Sequence, residues 1–171
     1  MDNYTFTLNF ALSKGDDPER YLDALFEAGC DDAVVGVGQF GMLGMDFTRA
    51  AASAEDAVRS AIENVRTAVP GATLAQAGPD LVGLTEMAVI FGFSRQNMRK
   101  YAIGESGGPE AFPTPVVLGD PSLWHLAEIV AWLKQNTSVT PPEHVFEVSK
   151  AAAKVNFEAE RKRIRKIVAL S

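Results

Sequence analysis

The chain has 171 residues, 47% hydrophobic and 22% charged, with a net charge of −6; this balance suits one ordinary domain or two small ones and excludes a disordered polypeptide. Its one cysteine, Cys30, excludes an internal disulfide framework and fits a reducing compartment. No apolar run approaches the roughly 20 residues that span a bilayer, and "MDNYTFTLNF" lacks the basic region of a signal peptide, so a soluble cytoplasmic protein without a membrane partner is expected.

In chain order, Tyr4, Phe6, Leu8 and Phe10 alternate along one face, the period of a half-buried strand. "GDDP" breaks the pattern. Pro18 behind Asp17 opens a helix with an apolar stripe of Leu22, Leu25 and Phe26, and Gly29 closes it. "DAVVGVG" and "MLGMDFTRA" read as strands flanking a glycine-rich turn. Ser53 with Asp56 forms a capping box for a helix whose stripe is Ala57, Val58, Ala61, Ile62 and Val65. Pro70-Gly71 stops that helix, and "ATLAQA" supplies a last strand. The order βαββαβ predicts a ferredoxin-like sandwich over residues 1–77, with two helices on one face of a small sheet.

"GVGQFG" at 36–41 matches the dinucleotide pattern G-x-G-x-x-G. That pattern holds a pyrophosphate only where a helix follows, and here a strand-like segment follows. A hairpin turn is expected, with no nucleotide or other cofactor.

"GPD" at 78–80 marks the passage to a second segment, 78–136. It contains "LTEMAVIFGFSRQNMRKYA", then "GESGGPEAFPTP", a strand or hairpin "VVLGDPSLW" and a helix "LAEIVAWLKQ". "NTSVTPP" halts regular structure, and a long helix ends the segment 137–171. Val148, Ala152, Val155 and Ala159 line one stripe of that helix, and Ile164, Ile167 and Val168 supply another apolar patch.

In the stretch 84–102, Leu84, Thr85 and Val89 are spaced as a staple, an N-cap and the N4 position, and Phe93, Ser94 and Met98 repeat the arrangement. Gly92 stands where the first helix needs a left-handed cap. Two helices with separately specified ends and about three residues between them have the geometry of a helix-turn-helix. With Met98, Tyr101 and Ala102 inward, Arg95, Gln96, Arg99 and Lys100 face outward. Arg and Gln match guanine and adenine edges bidentately, and Arg and Lys neutralise phosphates. An ordinary solvated helix face accounts for the same four residues, so the alternatives are DNA reading and plain solvation.

"LVGLTEMAVIFGFSRQNMRKY" followed by "FPTPVVLGDPSLWHLAEIVAWL" resembles the winged helix-turn-helix of the MerR and excisionase superfamily, including AlpA-type regulators, across residues 81–133. The family pattern is "L-x-x-I-A-x-x-x-G-V-S-R-x-x-V", then "F-P-x-P", a wing with a tryptophan, and a helix ending "V-x-x-W-L". The resemblance implies an interface on double-stranded DNA formed by Thr85, Ser94, Arg95, Gln96, Asn97, Arg99, Lys100 and Tyr101. It places Arg95, Gln96 and Arg99 in or beside the major groove and lets Tyr101 reach a phosphate. It further implies that Trp124 anchors the wing while Ile129, Trp132 and Leu133 close the core. His125 departs from the pattern, standing where AlpA-like wings often place arginine after the tryptophan, and "GESGGPEA" is longer and more acidic than a minimal excisionase loop.

His125 and His144 lack metal-ligand spacing with each other or with Cys30, so they are expected at a surface or interface and no metal is expected. Asp31 and Asp32 read as turn residues, since no nucleophile accompanies them, and no enzyme is expected. Charge is uneven: residues 1–80 carry 13 acidic and 5 basic side chains, residues 137–171 carry 4 and 7. "ERKRIRK" at 160–166 serves either a phosphate contact or the negative end of its helix. The ferredoxin-like segment is expected to dimerise or bind an effector, or to dock a basic partner such as a toxin. "MDFTRAAASAEDAVRSAIENV" is similar to the strand and "T-x-E-E-A" helix of HicB-type antitoxins. The expectation is a homodimeric transcriptional regulator, with an antitoxin-like protein or an excisionase-type accessory factor as alternatives.

Overall fold

Strand β1 (Asp2–Ala11) buries Tyr4, Phe6, Leu8 and Phe10 and exposes Asn3, Thr5 and Thr7, as its alternation predicts. The structure is a computed structural model that describes residues 1–170. β1 is central: β3 (Met42–Ala51) pairs with it antiparallel on one side and β4 (Thr73–Gly78) on the other. β2 (Ala33–Gly36) pairs antiparallel with β3, giving the order β2-β3-β1-β4. The register sets Phe6 opposite Phe47, Leu8 opposite Met45 and Phe10 opposite Leu43. The Phe6 and Phe47 rings stack at 5.1 Å.

Helix α2 (Ala54–Ala68) buries Ala57, Val58, Ala61, Ile62 and Val65, and packs against β1 and β3. Full burial of a Val, Leu or Phe side chain contributes about 1.5–3 kcal/mol, so this helix and the inner sheet face are the main source of cohesion in the unit. Ser53 Oγ accepts from Asp56 N at 3.1 Å, the N-cap half of the expected box, while the Asp56 carboxylate accepts from the Ser53 hydroxyl at 2.7 Å and not from its backbone. The segment 37–41 is the turn between β2 and β3 and leads into a strand.

Helix α1 corrects one expectation. Asp17 caps a 3-10 turn, Pro18–Tyr21, and α1 proper is only Leu22–Glu27, with no side-chain cap of its own. All three apolar positions lie within this six-residue helix, which meets α2 and turns one of them inward. Leu25 alone of the three is buried, while Leu22 and Phe26 are exposed.

After β5 (Leu81–Val82) come α3 (Leu84–Phe91) and α4 (Arg95–Ala102), then β6 (Trp124–His125), which pairs antiparallel with β5. Between α4 and β6 a hairpin closes through the Val117 and Leu123 backbones. The regular strand thus begins at Trp124, later than "VVL" suggested. α5 (Leu126–Asn136) buries Leu126, Ile129, Val130, Trp132 and Leu133 around Met87 and Met98.

Helix α6 (Glu143–Val168) differs from the expected separate segment 137–171. The chain divides into two units: Met1–Gly78 together with the chain from Ala151 onward, and Pro79–Lys150. α6 therefore belongs to both. Its buried Val148 lies in the second unit, and Ala152 and Val155 lie in the first. The whole is a mixed α+β fold. Among the described residues no helix is long and apolar enough to cross a membrane.

Candidate nucleic-acid interface

Ser94 Oγ accepts from Asn97 N at 3.1 Å and opens α4. Such a cap is worth about 1 kcal/mol against alanine. Gly92 ends α3 with φ 70° and ψ 29°, the left-handed conformation that glycine adopts without steric cost. Phe93 N then donates to Ala88 O at 2.8 Å. The turn, the second cap and the Phe93–Met98 staple stand as the spacing predicts: Phe93 packs on the core and Met98 is fully buried.

The first cap does not. α3 begins at Leu84, with Gly83 as N-cap and Glu86 Oε2 accepting from Gly83 N at 3.1 Å. Thr85 is therefore an exposed second residue of the helix. The staple positions shift to Val82 and Met87, both buried, and Val89 is 79% exposed. A glycine with no side-chain oxygen wins as cap because the glutamate three residues on supplies the acceptor and the β5–β6 pairing fixes Val82.

The inner face of α4 is held by aromatic contacts. Tyr101 is half-buried, edge-on to Trp132 at 5.6 Å and tilted against Phe93 at 6.4 Å. Phe112 packs edge-on to Trp132 at 5.0 Å and to Trp124 at 6.2 Å. Trp132 Nε1 donates to Glu110 O at 3.1 Å, and Asn136 Oδ1 accepts from Glu110 N, so the long acidic loop is tied to α5. Trp124 Nε1 donates to Pro113 O at 2.9 Å. Both tryptophans are thus buried anchors.

The outer face of α4 gathers four of the expected residues. Arg95, Gln96, Arg99 and Lys100 are exposed, Asn97 and Tyr101 are half-buried, and Ser94 is exposed with its hydroxyl engaged in the cap. No acidic residue lies in Arg95–Ala102. The unit Pro79–Lys150 has five basic residues. Lys134 pairs with Glu143 and Lys150 with Glu147. The three without an ion pair among the described residues, Arg95, Arg99 and Lys100, all lie on this one face.

The hairpin is different. Residues 113–124 contain no Lys or Arg, and Val116, Val117 and Leu118 are exposed. His125 is not a simple surface histidine: its Nδ1 lies 2.7 Å from Oδ1 of the buried Asp80, and Asp80 O accepts from Leu126 N at 2.7 Å. The side chain is turned to an internal carboxylate, and its backbone caps α5. Asp80 was legible only as part of a boundary, because nothing local marks a partner 45 residues away.

In the first unit, Asp32 is more than a turn residue. It receives a two-pronged ion pair from Arg49, which is almost fully buried. Cys30 is buried, and burial pushes its thiol above the ordinary range, against reactivity. No group of three or more His, Cys, Asp or Glu arranged to hold a metal ion occurs among the described residues.

No family model matches the chain, and neither a curated protein nor a solved structure matches it.

Proposed function

We propose that the chain is a sequence-specific DNA-binding transcriptional regulator that reads the major groove with the outer face of α4. The observation that carries this is the charge segregation on that helix. Every basic residue of its unit that lacks an ion pair among the described residues projects from one exposed face, in a chain whose net charge is −6. A solvated face selected only for solubility needs no such exclusion of carboxylates, whereas a phosphate-facing one does. The short left-handed turn between α3 and α4, the β5–β6 pair and the Trp124 anchor support a winged helix-turn-helix reading of 81–133. The antiparallel order β2-β3-β1-β4, with its βαββαβ sequence, supports a ferredoxin-like reading of the first unit.

The hairpin lacks cations, so phosphate contact rests on α4 and its neighbours. Thr85, Ser94, Asn97 and Tyr101 are assigned to backbone contacts, and Arg95 and Gln96 to base edges. One such helix reads only a few base pairs, which implies two copies on half-sites about one helical turn apart. Selection of genomic fragments by the purified full chain tests the proposal. A repeated motif enriched upstream of genes supports it. Enrichment at recombination sites instead assigns an accessory role, and retention of no fragment above background overturns DNA binding.

A further inference from the structure

A second basic surface lies wholly within the first unit and is concave. Helices α2 and α6 run side by side in parallel, because Glu55 pairs with Lys154 at 2.6 Å and Arg59, one turn on, pairs with Glu158 at 2.7 and 3.2 Å. At this level the surface is sealed. Ala152 and Val155 are buried, and the Asn156 side chain bonds both the N and the O of Ala77 in β4 at 2.7 and 2.8 Å.

Beyond it the same stripe of α6 changes character. The positions Ala152, Val155, Ala159, Lys162 and Lys166 advance by three and four residues and so share one face. Where packing would continue, Lys162 and Lys166 appear, and a cleft of about 680 Å³ opens between α2, β4 and α6. That volume falls in the range of about 300–1,000 Å³ common for small-molecule sites. Its walls carry Arg66 from α2 and Lys162, Arg163, Arg165 and Lys166 from α6. Of the lining carboxylates, Glu158 is held by Arg59, which leaves Glu63. Arg66, Lys162, Arg165 and Lys166 form no ion pair among the described residues, and Arg163 reaches only Glu160 at 3.7 Å.

Helix dipoles do not account for this. Two adjacent helix C-termini contribute roughly one negative charge together, against five cations. We infer that the cleft binds a compact small-molecule polyanion carrying two or more phosphate groups. The cations converge from two elements onto a concave volume, which favours a compact ligand over a duplex, whose recognition uses convex elements. Ile62, Leu74 and Val155, all buried, line the cleft as well.

The test is calorimetric titration of the full chain with tripolyphosphate and with ATP, at about 0.15 M salt, where screening acts beyond roughly 8 Å. Arg66→Ser, Lys162→Ser and Lys100→Ala are compared, with thermal melts to confirm folding. The expected result is saturable binding of at least one probe, one per chain, weakened about tenfold or more in Arg66→Ser and Lys162→Ser and unchanged in Lys100→Ala. Absence of saturable binding by both probes overturns the inference. So does an equal loss in Lys100→Ala, which marks diffuse charge. If the cleft variants lose retention of duplex DNA while probe binding is unaltered, the surface is a DNA contact and the inference likewise fails. The proposal stands independently of the reading of α4.

Discussion

Arg49 Nε and Nη2 meet the two carboxylate oxygens of Asp32 at 2.7 and 2.9 Å, on the strand face that otherwise buries Leu43, Met45 and Phe47. Nη2 also donates to Gly29 O at 2.8 Å and Nη1 to Ser60 Oγ at 3.1 Å. The guanidinium thus ties the end of α1 and the start of β2 to α2. Breaking a buried pair from one side typically costs about 3–5 kcal/mol. Because the Asp32 side chain is 27% exposed, the lower end applies. Asp32→Ala is expected to lose about 3 kcal/mol in urea unfolding. Arg49→Met should lose less, since the remaining carboxylate keeps contact with water. The double variant should recover part of the Asp32→Ala loss. Equal, additive losses would show that the two residues do not act as a pair.

Gly92 offers a purely conformational test. A Cβ there would meet nothing within 4 Å, so the left-handed backbone alone sets the penalty. Gly92→Ala is expected to destabilise the second unit by roughly 1 kcal/mol. Gly92→Asn should cost less, because asparagine tolerates the left-handed region better than alanine. A neutral Gly92→Ala in chemical denaturation would mean that the turn relaxes to another conformation.

Acid sensitivity of the first unit follows from its cross-helix pairs. The Lys154 ammonium and then the Arg59 guanidinium, each by hydrogen bonding, hold the Glu55 carboxyl below the usual range. Arg59 does the same for Glu158, while both carboxylates push Arg59 upward, so it stays charged. A folded-state pKa below the unfolded value means that the unfolded chain binds more protons in between. The stabilisation is therefore complete above the unfolded glutamate value of about 4.3 and is lost as pH falls through the lowered folded values. The melting temperature should fall on acidification below about pH 4.3, less steeply in Glu55→Gln/Glu158→Gln, which is already weaker at neutral pH. A parallel pH profile in the variant would contradict this coupling.

Self-association is expected through the last turns of α6. Ile164, Ile167 and Val168 are exposed there, whereas the outer sheet face presents Asn3, Thr5, Thr7, Asp46 and Thr48. Contiguous exposed apolar side chains mark association surfaces more often than isolated ones do. Light scattering should give twice the monomer mass, reduced to one in Ile167→Glu/Val168→Glu. A monomeric parent protein at tens of micromolar would remove the paired half-site arrangement.

The parts legible in sequence were those set by local period and cap chemistry. β1, the α2 stripe, the Ser53 and Ser94 caps and the Gly92 turn follow from neighbours within a few residues. Leu22 and Phe26 misled because their helix is only six residues long and its packing buries Leu25 alone, which the local spacing does not reveal. Thr85 lost the cap to Gly83 because strand pairing with Trp124 and His125, some 40 residues away, fixed where α3 begins. Arg49 continued an apolar alternation as an ordinary polar residue, and only tertiary packing brings Asp32 to it. The same holds for His125 and Asp80. The outer residues of α4 were recognisable from helical spacing, but their lack of carboxylate partners depends on where Glu143 and Glu147 fold. The division of α6 between two units has no local signal at Lys150.

The central claim is that α4 distinguishes DNA sequences. Its most direct measurement is selection from a random duplex library by the full chain and by Arg95→Ala, Gln96→Ala and Lys100→Ala. Loss of a bidentate base contact costs roughly 1–3 kcal/mol and relaxes one position. Loss of a phosphate contact flattens the salt dependence by about 0.9 log unit. Arg95→Ala and Gln96→Ala are therefore expected to select an altered motif, and Lys100→Ala to select the parent motif with lower affinity and a shallower salt slope. If all three select and bind the parent site as the parent protein does, the outer face of α4 is only a solvated surface and the proposed function is wrong.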